Sequence, residues 1–142
     1  MILFGSLVSA GIKSNCHSNE TDMSSDKKKI AADCWKRGSE AMGKEDWDYA
    51  MRMFGTSVSQ APENLLYRQT LRGAQCKKYN DNKTGAKMLT VKLMPIRGRI
   101  KKAHLKKDWK AMDKAAIDGL MLNPWDAQLY FDMAQACQNI GF

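Results

Sequence analysis

His17 and His104 are the only histidines in this chain of 142 residues. Imidazole acid–base chemistry needs a second group within reach, and metal capture needs several ligands at fixed spacing. His17 follows Cys16 in a polar stretch that reads as disordered, and His104 stands among lysines. No HExxH, GxxxxGKS/T, GxGxxG or GxSxG occurs. Metallopeptidase, phosphate-loop, dinucleotide and serine-hydrolase chemistry therefore lack their usual carriers. The carboxylates are scattered at positions that suit helix caps and solvated faces. These residues point away from an enzyme, and no cofactor or metal is expected.

Cys16, Cys34, Cys76 and Cys137 form no CxxC, and their spacings fit neither a zinc site nor a disulfide framework. Cys34, Cys76 and Cys137 fall inside helical patterns, where a thiol acts as a small apolar residue. Reduced cysteines favour the cytoplasm. Residues 1–12 are uncharged and mostly apolar. They are too few to span a bilayer and lack the basic start and cleavage signal of a secretory peptide. Residues 1–24 are expected to be a disordered extension, with the domain at 25–142.

Chemistry of a different kind lies in the charge pattern. The chain carries 23 Lys plus Arg against 15 Asp plus Glu, a formal +8. From Asn82 to Lys107 no acidic residue occurs, while Lys83, Lys87, Lys92, Arg97, Arg99, Lys101, Lys102, Lys106 and Lys107 are all basic. Such a run is either a solvated helix face or a patch for an anionic partner. Nucleic acid would be drawn through its phosphates in a salt-dependent way. No aromatic residue interleaves the run to stack bases, so nucleic acid ranks below an acidic protein segment.

Helices must position these groups. Ile30, Cys34, Gly38 and Ala41 recur at helical steps after a candidate cap at Ser25, which predicts a helix from about Asp26 to Met42. Asp46 can cap a second, with Trp47, Ala50, Phe54 and Val58 on one stripe. Pro62 ends it and opens a third, over about 63–78, carrying Tyr67, Leu71 and Ala74. The breaker cluster at 79–85 and an ambiguous segment to 94 read as an irregular linker. Pro95 suits the first turn of a fourth helix, with Ile96, Ile100 and Ala103 inward. A fifth spans Trp109 to Leu122, and a sixth runs from about Trp125 to Ile140 with Leu129, Met133 and Cys137 buried. The fold class expected is all-α, about six helices.

Two blocks repeat in phase: Asp46-Trp47…Pro62 and Asp108-Trp109…Pro124. With Gly38, Ala50, Phe54 and Pro62 in the first and Ala103, Trp109, Ala116 and Pro124 in the second, the chain resembles the tetratricopeptide (TPR) repeat family. Its members stack helix-turn-helix pairs. The likeness covers about residues 30–78 and 95–142. Arg37, Met112 and the 79–94 segment depart from the pattern. The chain ends at Gly141-Phe142, where such a helix would turn into its partner. The array is thus expected to belong to a longer solenoid, or to have its open C-terminal end covered by another chain or a second copy.

What the resemblance implies is a non-enzymatic scaffold whose first helices line a groove for a partner's peptide or helix. Its frame places Trp35 and Ser39 on that groove, then Arg72 (with Arg68) or Gln69 and Gly73, depending on register. It adds Arg97, Lys101 and His104 from the fourth helix and Phe131 and Gln135 from the last. The family's carboxylate clamp uses a Lys and an Asn where this chain has Trp35 and Ser39. An apolar-anchored groove with a basic middle is the expectation, for a protein or peptide of acidic character. Trp35 could instead pack in the core. No membrane insertion is expected. The rival functions are nucleic-acid association through 83–107 and a structural spacer between domains.

Overall fold

The structure, a computed structural model, describes the backbone of residues 16–142 and the side chains of 24–142. The apolar run at 1–12 lies outside the described residues. Six α-helices make up the described fold: α1 (Cys16–Gly43), α2 (Trp47–Gln60), α3 (Leu65–Lys78), α4 (Leu89–Leu105), α5 (Trp109–Leu120) and α6 (Ala127–Ile140). No strand occurs among the described residues. The fold is an all-α helical array.

Short side-chain acceptors start most of the helices. Asp46 takes the Tyr49 N–H at 3.1 Å, Asp108 takes that of Ala111 at 3.1 Å, and Asp126 takes those of Gln128 and Leu129. Asn64 caps α3 in the same manner. Each such cap satisfies a donor that the first helical turn leaves unpaired. Helix α4 begins without a side-chain cap, from Met88 in the left-handed region.

Two expected boundaries shift. Helix α1 starts at Cys16, inside the segment expected to be disordered, and Ser25 lies in its interior. No Gly or Pro interrupts the chain between Cys16 and Arg37. Helix α4 starts at Leu89 rather than Pro95, so the linker is 79–88 and the proline sits inside the helix. Pro95 removes one backbone donor. Burial of Leu93 and packing of Leu89 against the core hold the added turn in place.

Two three-helix units follow one another. In the first, α1 packs on α2 and α2 on α3 around Ala41, Ala50, Met51, Phe54, Val58, Leu71 and Ala74. In the second, α4 packs on α5 and α5 on α6 around Leu93, Ile96, Ile100, Met112, Ala116, Leu120 and Leu129. Along α1 the inward residues are Ala31, Gly38 and Ala41, and Ile30 is exposed. The Ala31 carbonyl accepts the buried Ser57 hydroxyl at 2.8 Å, which brings α2 close at that point.

The turns of the two units repeat. Glu45 and Lys107 both have positive φ, at 59° and 56°. The next residue donates back across the turn in each, Asp46 to Ala41 at 3.0 Å and Asp108 to Ala103 at 2.9 Å. The cores beside those turns are filled differently. Gly38 lies under Phe54, so close that an added Cβ would sit 2.7 Å from the ring. At the corresponding places of the second unit stand Ile100 and Ala116, both buried. The large and small residues have exchanged helices.

Polar contacts join the units. Arg68 of α3 grips Asp113 of α5 with two hydrogen bonds, 3.0 and 2.7 Å, and its Nε donates to the Pro62 carbonyl at 2.6 Å. The Asp113 side chain is only 7% exposed. Arg72 stacks over Tyr130 at 4.6 Å, and its guanidinium also meets the Tyr130 hydroxyl. The linker is tied down as well. The Tyr79 hydroxyl donates to Met121 O at 2.9 Å, and Ala86 N to Leu122 O at 2.8 Å. Gly85, with φ +77°, passes so near Leu122 O that a Cβ there would stand 2.6 Å away.

These contacts lay α3 against α5 and α6. The inward stripe of α6 lies as expected: Leu129 is buried, and Tyr130 and Met133 pack on the α4–α6 core. Phe131 and Phe142 stay exposed.

Gly38→Ala should lower stability by about 1–3 kcal/mol through overpacking against Phe54. Gly73→Ala, on α3 where nothing lies within 4 Å, should raise it by about 0.5–1 kcal/mol. Denaturant unfolding of the two variants checks the pair of signs. Arg68→Leu leaves Asp113 buried and unpaired and should cost about 3–5 kcal/mol. The Arg68→Leu/Asp113→Leu double variant should recover most of that loss in the same measurement.

Candidate functional site

Helices α4 and α6 line an open groove of about 350 Å³ with α5 beneath. Arg97, Lys101 and His104 stand along α4 at helical steps, and Gln128, Asp132 and Gln135 along α6. Ile100 and Met112 form an apolar floor. A second hollow of about 220 Å³ continues along α4, lined by Leu89, Thr90, Leu93, Met94, Arg97 and Asp126. Arg97 borders both.

The groove is more basic than acidic. Arg97 donates to Asp126 Oδ2 at 3.0 Å, with the Arg97 side chain well exposed. Asp126 is largely shielded, with its side chain 10% exposed, while the Arg97 guanidinium stays open on its outer side to a further carboxylate. Asp132 is held by the Gln128 amide at 3.0 Å. The Lys101 ammonium enters no ion pair among the described residues. His104 meets Trp109 edge-on at 5.7 Å, which fixes its ring at the end of the groove. The lining can accept an extended segment bearing carboxylates and a few apolar side chains.

Four of the residues expected at a groove, Arg97, Lys101, His104 and Gln135, come together here. Phe131 is exposed on α6, next to Gln128 and Gln135 on the helix surface, but does not line the groove. The other three lie elsewhere. The Trp35 indole donates to Thr70 Oγ1 at 3.0 Å and its ring packs 6.4 Å from Tyr67, against the α1–α3 core. The Ser39 hydroxyl donates to the Trp35 carbonyl at 2.9 Å. Arg72 is turned to Tyr130 and lines a separate, nearly filled space of about 40 Å³ between the units.

Reading by periodicity misses the strongest polar cluster, Arg68, Asp113 and Cys137. One sign of it was there: Asp113 shares a helix face with Ile117 and Leu120, and a carboxylate on an inward stripe demands a partner. The Cys137 thiol donates to Asp113 Oδ1 at 3.5 Å. Burial works to lower the Arg68 pKa, and the hydrogen bond and charge of Asp113 outweigh it, leaving the guanidinium above its usual value. Burial raises the Cys137 thiol, with Asp113 adding to the shift. Tyr79 is raised as well, again chiefly by burial. Among the described residues no three His, Cys, Asp or Glu side chains gather as metal ligands.

The folded chain holds the Cys137 and Tyr79 protons more tightly than the unfolded chain does. Their contribution to stability is full below the unfolded pKa values and is lost as pH rises through the folded ones. The denaturation midpoint should fall from about pH 8.5 upward, the ordinary thiol value. Cys137→Ala should flatten the first part of that decline in a pH series of unfolding curves.

In the comparison with known proteins, no family model, curated protein or solved structure matches the chain.

Proposed function

We propose that this protein is a non-enzymatic, TPR-like interaction scaffold that holds an acidic peptide or helix of a partner protein in the groove between α4 and α6. The observation that carries this reading is the convergence of Arg97, Lys101, His104 and Gln135 on one open, apolar-floored groove. The repeated turns at Glu45 and Lys107 support the repeat character. Charge would speed encounter with an acidic partner and fix its direction. Ile100 and Met112 would receive the partner's apolar side chains. A cytoplasmic setting suits the free thiols Cys34, Cys76 and Cys137.

Nucleic acid is the second reading, favoured by the unpaired lysines of the 83–107 segment. It is weakened because no aromatic side chain interleaves that segment to stack bases. A panel of labelled acidic, neutral and basic peptides, with a single-stranded oligonucleotide alongside, separates the readings by fluorescence anisotropy. Acidic peptides should bind, and Arg97→Glu and Lys101→Glu should each weaken them at least about tenfold. Tighter oligonucleotide binding, with no peptide bound, would sink the scaffold reading.

A further inference from the structure

The groove occupies one flank of α4, and the side of this helix turned away from the core is unexplained by it. Val91, Met94, Gly98 and Leu105 follow one another at steps of three, four and seven residues, along the face opposite Leu93, Ile96, Ile100 and Ala103. Met88 precedes them. These four large apolar side chains, Met88, Val91, Met94 and Leu105, are between 64% and 75% exposed. Scattered single apolar residues on a surface need no explanation, but a stripe along one helix does.

Lysines border the stripe on both sides. Lys92 and Lys102 lie on one flank and Lys101 on the other, all exposed, with Lys87 and Lys106 at the ends. None of the five is in an ion pair among the described residues. The absence of acidic residues from Asn82 to Lys107 leaves nothing on this face to repel an anion.

We infer that the outer face of α4 docks this protein on the surface of an anionic lipid bilayer. An exposed apolar ridge with lysines on either flank fits a flat, negatively charged interface. The apolar side chains enter the headgroup boundary while the lysine stems lie beside them with their ammonium groups at the phosphates. The choice of occupant rests on charge, since the unpaired lysines beside the ridge complement lipid phosphates. A second copy of the chain would bring two basic faces together. The attachment is peripheral, since among the described residues no helix is long and apolar enough to cross a membrane. It shares Lys101 with the groove and Met94 with the hollow that continues it, while Val91, Leu105, Lys92 and Lys102 line neither.

Co-sedimentation of the full chain with phosphatidylcholine vesicles, with and without about one third phosphatidylserine, tests the inference; lysine-dependent attraction is expected at such surfaces. Binding should require phosphatidylserine and fall as salt is added. Lys92→Gln and Lys102→Gln should each lower partitioning about fivefold. Met94→Asp should lower it about tenfold or more, because it removes an inserting side chain. Circular dichroism confirms that these surface variants stay folded. Retained binding in Met94→Asp, equal binding to neutral vesicles, or no vesicle binding at all would each overturn the proposal. Loss of Met94→Asp binding to an acidic peptide or oligonucleotide, with vesicles not bound, would overturn it in favour of that partner. Arg97→Glu in the peptide assay reports on the groove separately, because Arg97 lines the groove and is not one of the lysines beside the ridge.

Discussion

A carboxylate placed on the inward face of a helix sets the main constraint on this molecule. Asp113 is nearly closed off from water, and an ionised carboxylate there is tolerable only with a partner that fills its lone pairs. Arg68 does so with two parallel bonds, and the Pro62 carbonyl holds its Nε at the same time. The start of α3 is thereby fixed onto α5. Once α3 lies there, Arg72 reaches Tyr130, Gln75 reaches the Met121 sulfur, and Arg68 also comes within 5.7 Å of the Phe142 ring. One side of the α5–α6 pair is thus occupied by the chain itself. The side shared with α4 stays open and forms the groove.

Charge is arranged by the same logic of distant partners. The acid-free stretch from Asn82 to Lys107 would make a uniformly positive strip if it were isolated. Folding brings Asp126 to Arg97 and Asp118 to Arg99, so the arginines are engaged and the lysines remain. Lys83 lies over the Trp125 ring at 5.5 Å. What is left is a more selective pattern, with Lys101 beside the groove and Lys92 and Lys102 on the outer flank.

Helix identity was legible because it rests on local spacing and caps. Asp46, Asp108 and the paired Trp-to-Pro blocks mark α2 and α5, and Ile96, Ile100 and Ala103 mark the inward face of α4. The start of α4 was not legible, since Pro95 looks like a helix opening and only packing of Leu89 and Leu93 on distant residues overrides it. The same limit applied to the site. Arg97, Lys101 and His104 share a face by spacing alone, whereas Arg72 is claimed by a tyrosine 58 positions away. Trp35 is claimed likewise by Thr70. The outer apolar stripe escaped notice because half of it, Met88 to Met94, lay in the segment read as linker.

The exchange of Gly38 and Phe54 for Ile100 and Ala116 bears on how the chain finds its own pairing. Two units with alike turns invite crossed partners during folding. If α1 met α5, Gly38 would face Ala116 and leave a void. If α4 met α2, Ile100 would drive into Phe54. The mispaired assemblies are thus either hollow or overfull, and only the order written in the chain closes both cores. A single inverted pair of side-chain volumes acts as an address that tells each helix which neighbour is its own.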